Sequence, residues 1–311
     1  MKTILGTGQL GLTIMGILLQ NNPDEAILLV NRQGKIDVPI PQNVQVVAAD
    51  VTNKNDMLRI AQKSEVIFSC TDVLYPLWAD FYPATANALA YALDKTNVSL
   101  VFADNLYAYG NVLGAEMMET MPHCAKTKKG KIRAAVINTL LHSGKEFSEG
   151  VAFVKAADFI GPRIHKGVFG TDFLRRIYGN KTVFLAGKLD APHTFTYIKD
   201  FAKAMIQVGT ATDTFGQIWH VPNAPPLTLR EWISLFEAET GKKIKVVTLP
   251  KSLVWLVGFF SPLVKELYEM AYQFEYPYLV NHNKYVARFG NPATDALSIV
   301  KETTQWFKSI K

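Results

Sequence analysis

The sequence has only two cysteines, Cys70 and Cys124. That excludes a disulfide framework, and neither lies at a metal-ligand spacing, so no metal is expected and the thiols read as reduced, as in a cytoplasmic protein. Long apolar runs are also missing. The longest, Ser252 to Val264, is interrupted by Pro262 and falls short of the roughly 20 residues that span a bilayer. It reads as a buried helix or pocket wall, and no membrane partner is expected. A strand-like segment starts almost at Met1, which leaves no room for a targeting peptide. No internal repeat or low-complexity stretch appears. Neither sign of charge dominates, with 33 basic and 27 acidic residues giving a net charge of +6. With no basic face interleaved with aromatics, nucleic acid is not expected as a partner, whereas a small anionic ligand suits the modest excess.

What is present is alternation. "KTILGTG" reads as a buried strand ending in a glycine turn, and "GLTIMGILLQNN" follows as a helix, with apolar residues at Leu12, Met15, Leu18 and Leu19. "EAILLVNR" and "VQVVAADV" read as second and third strands. "KNDMLRIAQKS" reads as a short helix capped by Asn53 or Asn55. "EVIFSCT" and "VSLVFADN" are further strands around the helix "ATANALAYALDKT", another helix runs from Lys128 to His142, and "VAFVKAADFIG" is a sixth strand. Near-continuous apolar strands between helices predict an α/β fold with a parallel sheet buried on both faces. Right-handed crossovers make it doubly wound. Beyond about residue 163 the punctuation by Gly and Pro increases. The expected division is therefore a dinucleotide-binding Rossmann domain over 1–162 and a smaller substrate lobe over 163–311, interleaved with the last sheet elements.

The Rossmann reading rests on Gly6, Gly8 and Gly11, a G-x-G-x-x-G between strand and helix. The first glycine allows the turn, the second lets backbone approach a pyrophosphate, and the third lets helix pack on sheet. Gln9 and Leu10 complete the turn, whose free N–H groups would face the phosphates. After the second strand, where an NAD enzyme usually carries a carboxylate for the ribose 2′-hydroxyl, stand Asn31, Arg32 and nearby Lys35. A carboxylate repels a 2′-phosphate and a guanidinium pairs with one, so NADP(H) is favoured, with NAD as the alternative. Asp50 and Val51 follow the third strand, placed to meet the adenine edge; Asp50 could equally cap the next helix.

These segments resemble the NAD-dependent epimerase/dehydratase family of the extended short-chain dehydrogenase/reductases over nearly the whole chain. "GTGQLG" is similar to the family's phosphate turn, with Leu5 where a further glycine is common. "DVT" at Asp50 resembles the adenine-contacting motif. "DNLYAYG", "VKAADFIGPR", "HTFTYIKDFAKAM" and "GQIWHVPNAPPLTLREW" follow in the family's order. The resemblance implies a Tyr and a Lys four residues later on one helix, the phenol as general acid/base and the lysine on the nicotinamide ribose, with a Ser or Thr holding the substrate oxygen. Here Lys131 fits the lysine, but Thr127 stands at the tyrosine position and Asn105 at the Ser/Thr position. A threonine hydroxyl is too weak an acid to replace a phenol. Tyr107 and Tyr109, close after the fifth strand, are the alternatives, and Tyr107 is the stronger candidate beside its reading as a pocket wall. His193, Tyr197 and Asp200 fall in the substrate-lobe segment, where His193 reads either as a proton donor or as a surface or capping residue. Tyr75, Trp78 and Tyr82 read either as a pocket wall or as core. The basic run Lys126, Lys128, Lys129, Lys131 and Arg133 reads as a mostly solvated helix start, with Lys131 the exception. The resemblance allows a homodimer, since such proteins often pair through a helix bundle.

Two functions remain in view. The first is an NADP(H)-dependent oxidoreductase or epimerase acting on a small carbonyl or hydroxyl substrate, sugar-derived in one version; a lyase or dehydratase using bound NAD(P) is indistinguishable from it in sequence. The second is a non-catalytic NADP(H) sensor, favoured by the altered tyrosine position.

Overall fold

The computed structural model describes residues 1–142, 150–249, 266 and 268–310. The apolar run Ser252–Val264 lies outside the described residues.

The amino-terminal strands are the expected ones: β1 (Lys2–Leu5), β2 (Ile27–Asn31), β3 (Val44–Ala48), β4 (Val66–Ser69), β5 (Ser99–Asn105) and β6 (Val151–Ala156). With β9 (Gln217–His220) they form one seven-stranded sheet in the order β9-β6-β5-β4-β1-β2-β3. The ladders β1–β2, β1–β4, β2–β3 and β4–β5 are parallel. Ile4, Leu29 and Phe68 are wholly buried, which is why these strands read as continuous apolar runs and not as alternating ones. Chain order runs outward from β1 in both directions, so the topological switch lies between β1 and β4, where a doubly wound sheet opens a crevice at its carboxyl edge.

The helices follow local signals. Helix α1 (Gln9–Asn21) starts at the glycine turn and buries Leu10, Gly11, Ile14, Met15 and Leu18. The stripe is thus one residue out from the expected one, with Ile14 inside and Leu12 and Leu19 half-buried. Asn53 caps α2 (Lys54–Ala61), its side chain accepting from the backbone N–H groups of Asn55 and Asp56. Helix α3 (Trp78–Asp94) precedes β5, and α4 (Lys128–His142) precedes β6.

Two compact units divide the chain. One comprises 1–108, 123–155 and 201–219; the other comprises 109–122, 156–200 and 220–311. The expected sixth strand is cut at this boundary. β6 ends at Ala156, and Asp158–Ile160 forms a separate strand, β7, paired in parallel with β8 (Phe195–Tyr197). The Thr196 hydroxyl accepts from the Ala157 backbone N–H at 2.9 Å, fixing the break. In the second unit, α5 (Leu229–Thr240) opens on a capping box between Thr228 and Glu231 and closes on Gly241 at φ +65°. Thr228→Ala should lower stability by about 1 kcal/mol, read from the urea midpoint, because the orphaned Glu231 N–H loses its acceptor.

Candidate functional site

At the β1–α1 turn, Gly6 sits at φ +99°, and a Cβ there would press on the Cys70 carbonyl at 3.0 Å, at the end of the neighbouring strand β4. A Cβ on Gly11 would lie 2.0 Å from the Gly6 carbonyl oxygen, so only glycine lets α1 approach the turn. Gly8 is the reverse case: a Cβ there would meet nothing within 4 Å. Gly8 is also the N-cap of α1, no side chain caps that end, and no acidic residue stands in the first turn. The turn therefore presents open space over uncapped amides at the positive end of a helix, which fits a pyrophosphate. Gln9 is half-buried, and Leu10 is buried in the core.

The loop after β2 is organised by Asn31. Its amide donates to Thr7 Oγ1 at 3.0 Å and to the Lys35 carbonyl at 2.8 Å, and its oxygen accepts from the backbone N–H groups of Gln33 and Gly34. Asn31 thus ties this loop to the glycine turn and leaves Arg32 exposed beside it. After β3, Asp50 is exposed and Val51 buried. Hydrogen bonds from the backbone and hydroxyl of Thr52 hold the Asp50 carboxyl below its usual range. Asp50 does not cap α2, since Asn53 does.

Beyond the switch, the carboxyl end of β5 carries a buried polar cluster. Asp104 accepts from Lys155 Nζ at 2.5 Å and lies 3.3 Å from Arg133 Nη1. Lys155 also donates to the Asn105 carbonyl at 3.0 Å. The Arg133 guanidinium stacks over Tyr82 and Trp78, at 3.9 and 4.5 Å from the ring centroids, and donates to Tyr82 Oη at 2.7 Å. Tyr82 passes its own proton toward Asp72. Burial holds Lys155 below the ordinary lysine range and pushes the Tyr82 phenol well up. Trp78 and Tyr82 are therefore core residues, and both rings contact the Arg133 cation.

Among the expected site residues, Asn105 and Tyr107 are brought together: Asn105 Oδ1 accepts from the Tyr107 backbone N–H at 3.0 Å. The Tyr107 hydroxyl lies 2.9 Å from that of Tyr75. Thr127 Oγ1 accepts from the Gly130 N–H at 3.1 Å at the start of α4. Lys131 is exposed. Lys126 and Lys128 are exposed as well, but the solvated reading of the basic run is corrected at Lys129 and Arg133, which are 1% and 5% exposed. Their burial comes from the close approach of α4 to the sheet. Gly130 brings α4 against the end of β5, where a Cβ on it would stand 2.4 Å from the Tyr107 carbonyl. Lys129 and Arg133 then continue the buried stripe of Val136, Ile137 and Leu140 at helical spacing. That spacing was the available signal; charge alone pointed the other way.

In the second unit, His193 is not a surface or capping residue. It is 2% exposed, stacked on Phe274 and Tyr278, with Nε2 2.9 Å from Asp158. Tyr109 is buried against His220 Nε2 at 2.8 Å, and the other His220 ring nitrogen lies 2.7 Å from the Asn281 carbonyl. Because a carbonyl only accepts, that nitrogen carries a proton, and in the neutral ring Nε2 accepts from Tyr109. The Tyr197 hydroxyl donates to Glu302, and Asp200 accepts from the Thr294 backbone and hydroxyl. Among the described residues no group of His, Cys, Asp and Glu could hold a metal, and no helix is long and apolar enough to cross a membrane.

A doubly wound sheet with an open glycine turn at its switch defines a Rossmann-type protein. Residues 4–221 match the NAD dependent epimerase/dehydratase family, and the chain belongs to it. No curated protein matches the sequence. Three solved structures show the same fold. The dTDP-glucose 4,6-dehydratase from Bacillus anthracis str. Ames, in complex with NAD, aligns with a TM-score of 0.81 at 16% identity, over 99% of this chain and 97% of that one. The UDP-glucuronic acid 4-epimerase from Bacillus cereus, with NAD, gives 0.80 at 12% identity over 100% and 99%. The UDP-glucose 4-epimerase from Thermus thermophilus, with NAD, gives 0.79 at 17% over the whole of both chains.

Proposed function

We propose that the protein is an NADP(H)-dependent oxidoreductase or epimerase acting on a small carbonyl or hydroxyl substrate. The observation that carries this reading is the glycine turn, closed to side chains at Gly6 and Gly11 and open at Gly8. The phosphates would rest on the amides of Gly8 to Gly11, with Asp50 and Val51 at the adenine. A nicotinamide held there supplies hydride transfer to or from a carbon next to oxygen. Tyr107 is the phenol nearest the carboxyl end of β5 and is the proposed acid/base. Asn105 holds its backbone, Thr127 fixes the start of α4, and Lys131 on that helix is the candidate for the ribose. Sugar nucleotides are the substrate class suggested by the similar dehydratase and epimerases.

NADP(H) is preferred over NAD because Asn31 puts no negative charge at the ribose and Arg32 is exposed beside it. Arg32→Ala should weaken NADPH binding by about 10- to 100-fold, the range of one to two charge-assisted hydrogen bonds, and leave NADH nearly unchanged. Titration of the purified chain with NADPH and NADH, followed by a carbonyl screen read by cofactor absorbance, tests the whole reading. Binding of neither nucleotide at millimolar concentration overturns it. Binding of NADPH with no turnover of any carbonyl would favour the sensor function, which the absence of a phenol at position 127 supports.

A further inference from the structure

The proposed function needs a group that gives and takes a proton, and the position that resembles the family's tyrosine is Thr127, whose hydroxyl is engaged at the start of α4. The same unit holds a different arrangement. Tyr75 follows β4 and Tyr107 follows β5, so the ends of adjacent strands deliver two phenols side by side, with hydroxyls 2.9 Å apart. Tyr107 is buried and Tyr75 half-buried. Lys129 Nζ stands 4.9 Å from the centroid of the Tyr75 ring. The Trp78 ring stacks on Tyr107 at 6.0 Å, and Arg133 lies over Trp78.

We propose that Tyr75 and Tyr107 act as one proton-transfer pair, with Lys129 as the buried cation that stabilises the anion formed when a proton leaves. The inference rests on the reading of this edge of the sheet as a nicotinamide site. When the proton of one phenol goes to a substrate oxygen, the resulting phenolate accepts a hydrogen bond from the other. A proton from solvent, reached through half-buried Tyr75, restores the pair.

The charges around the pair decide whether this can work, because burial alone favours a neutral phenol. From α4 come the cations Lys129 and Arg133. From β5 comes Asp104, which Lys155 of β6 neutralises at 2.5 Å. Asp72, after β4, is engaged by the Tyr82 hydroxyl. Asp104 is thus matched by a cation of its own, Arg133 acts on Tyr107 from beside Trp78, and Lys129 is the cation placed over the Tyr75 ring. Tyr82 makes the contrast: its proton points at a carboxylate, which holds it on. The two phenols titrate as a unit, so the observable belongs to the pair and not to either residue.

The test needs no substrate. Near-ultraviolet phenolate absorbance is followed during an alkaline titration of the full chain, with NADPH binding measured in parallel. The wild type should show one phenolate appearing about a pH unit or more ahead of the remaining tyrosines. Tyr107→Phe and Tyr75→Phe, which keep both rings packed, should each remove this early step. Lys129→Met should shift it alkaline by about one unit, Lys129→Arg should restore it, and Lys126→Met should leave it in place. Absence of an early phenolate in the wild type, or its survival in both Phe variants, overturns the proposal. An unmoved step in Lys129→Met overturns the part assigned to the lysine. If NADPH binds and no early phenolate appears, the pair alone is refuted. If the early phenolate appears without NADPH binding, it is the cofactor reading that fails.

Discussion

Gly8→Val should abolish measurable dinucleotide binding while leaving the melting temperature within about a degree of the wild type. Both halves follow from one geometric fact. A Cβ at position 8 meets no protein atom within 4 Å, so its addition clashes with nothing in the fold. Gly8 has φ −77°, an ordinary value for any residue. The isopropyl group would instead stand in the space over the uncapped amides of α1. Loss of close backbone contact to two phosphates removes several charge-assisted hydrogen bonds at once, a loss of about 3 kcal/mol or more and thus upwards of 100-fold in affinity. Gly11→Ala makes the complementary comparison. Its Cβ would collide with the Gly6 carbonyl at 2.0 Å, so stability and binding should fall together as α1 is pushed off the sheet. Calorimetric melting beside NADPH titration separates the two variants. A Gly8 variant that binds normally would mean that the phosphates lie elsewhere.

Asp104→Ala should destabilise the protein by about 3–5 kcal/mol, because it leaves the buried cations Lys155 and Arg133 facing each other without a counter-charge. Only the removal of one partner is expected to be severe; the double change Asp104→Leu with Lys155→Met should recover part of the loss. The pH dependence has a definite sign. Lys155 is held below its ordinary range by burial, so in the interval between its folded and unfolded values the unfolded chain binds more protons. Stability therefore rises with pH through that interval and levels off above the unfolded value. Removing Asp104, which works against the shift, should extend the slope to lower pH. Urea denaturation at several pH values measures both effects, and a loss under about 1 kcal/mol for Asp104→Ala would show that the cluster is solvated.

The parts of the molecule legible in the sequence are those where side-chain type and backbone geometry agree. β1, β2 and β4 carry near-continuous apolar runs because both faces are covered, and the three glycines stand where the chain must turn or approach closely. The polar cluster was not legible in the same way. Charged residues are normally found at the surface, so Lys129 and Arg133 looked solvated, although they sit four apart in register with Val136, Ile137 and Leu140. What overrides the default is long-range: Asp104 and the rings of Trp78 and Tyr82 come from β5 and α3, and no local pattern announces their meeting with α4. His193 is a similar case, buried by Phe274 and Tyr278 from far along the chain. The break between β6 and β7 was hidden for the opposite reason. Phe159 and Ile160 continue the strand-like run of Val151 to Val154, and the Thr196 hydroxyl marks the point of departure.

Backbone amide shifts recorded by NMR on addition of NADPH test the central claim most directly. The largest changes should fall on Gly8, Gln9, Leu10 and Gly11, with a second group at Arg32 and its neighbours. Saturating binding that leaves the Gly8–Gly11 amides in place, or no binding at all, would contradict the account.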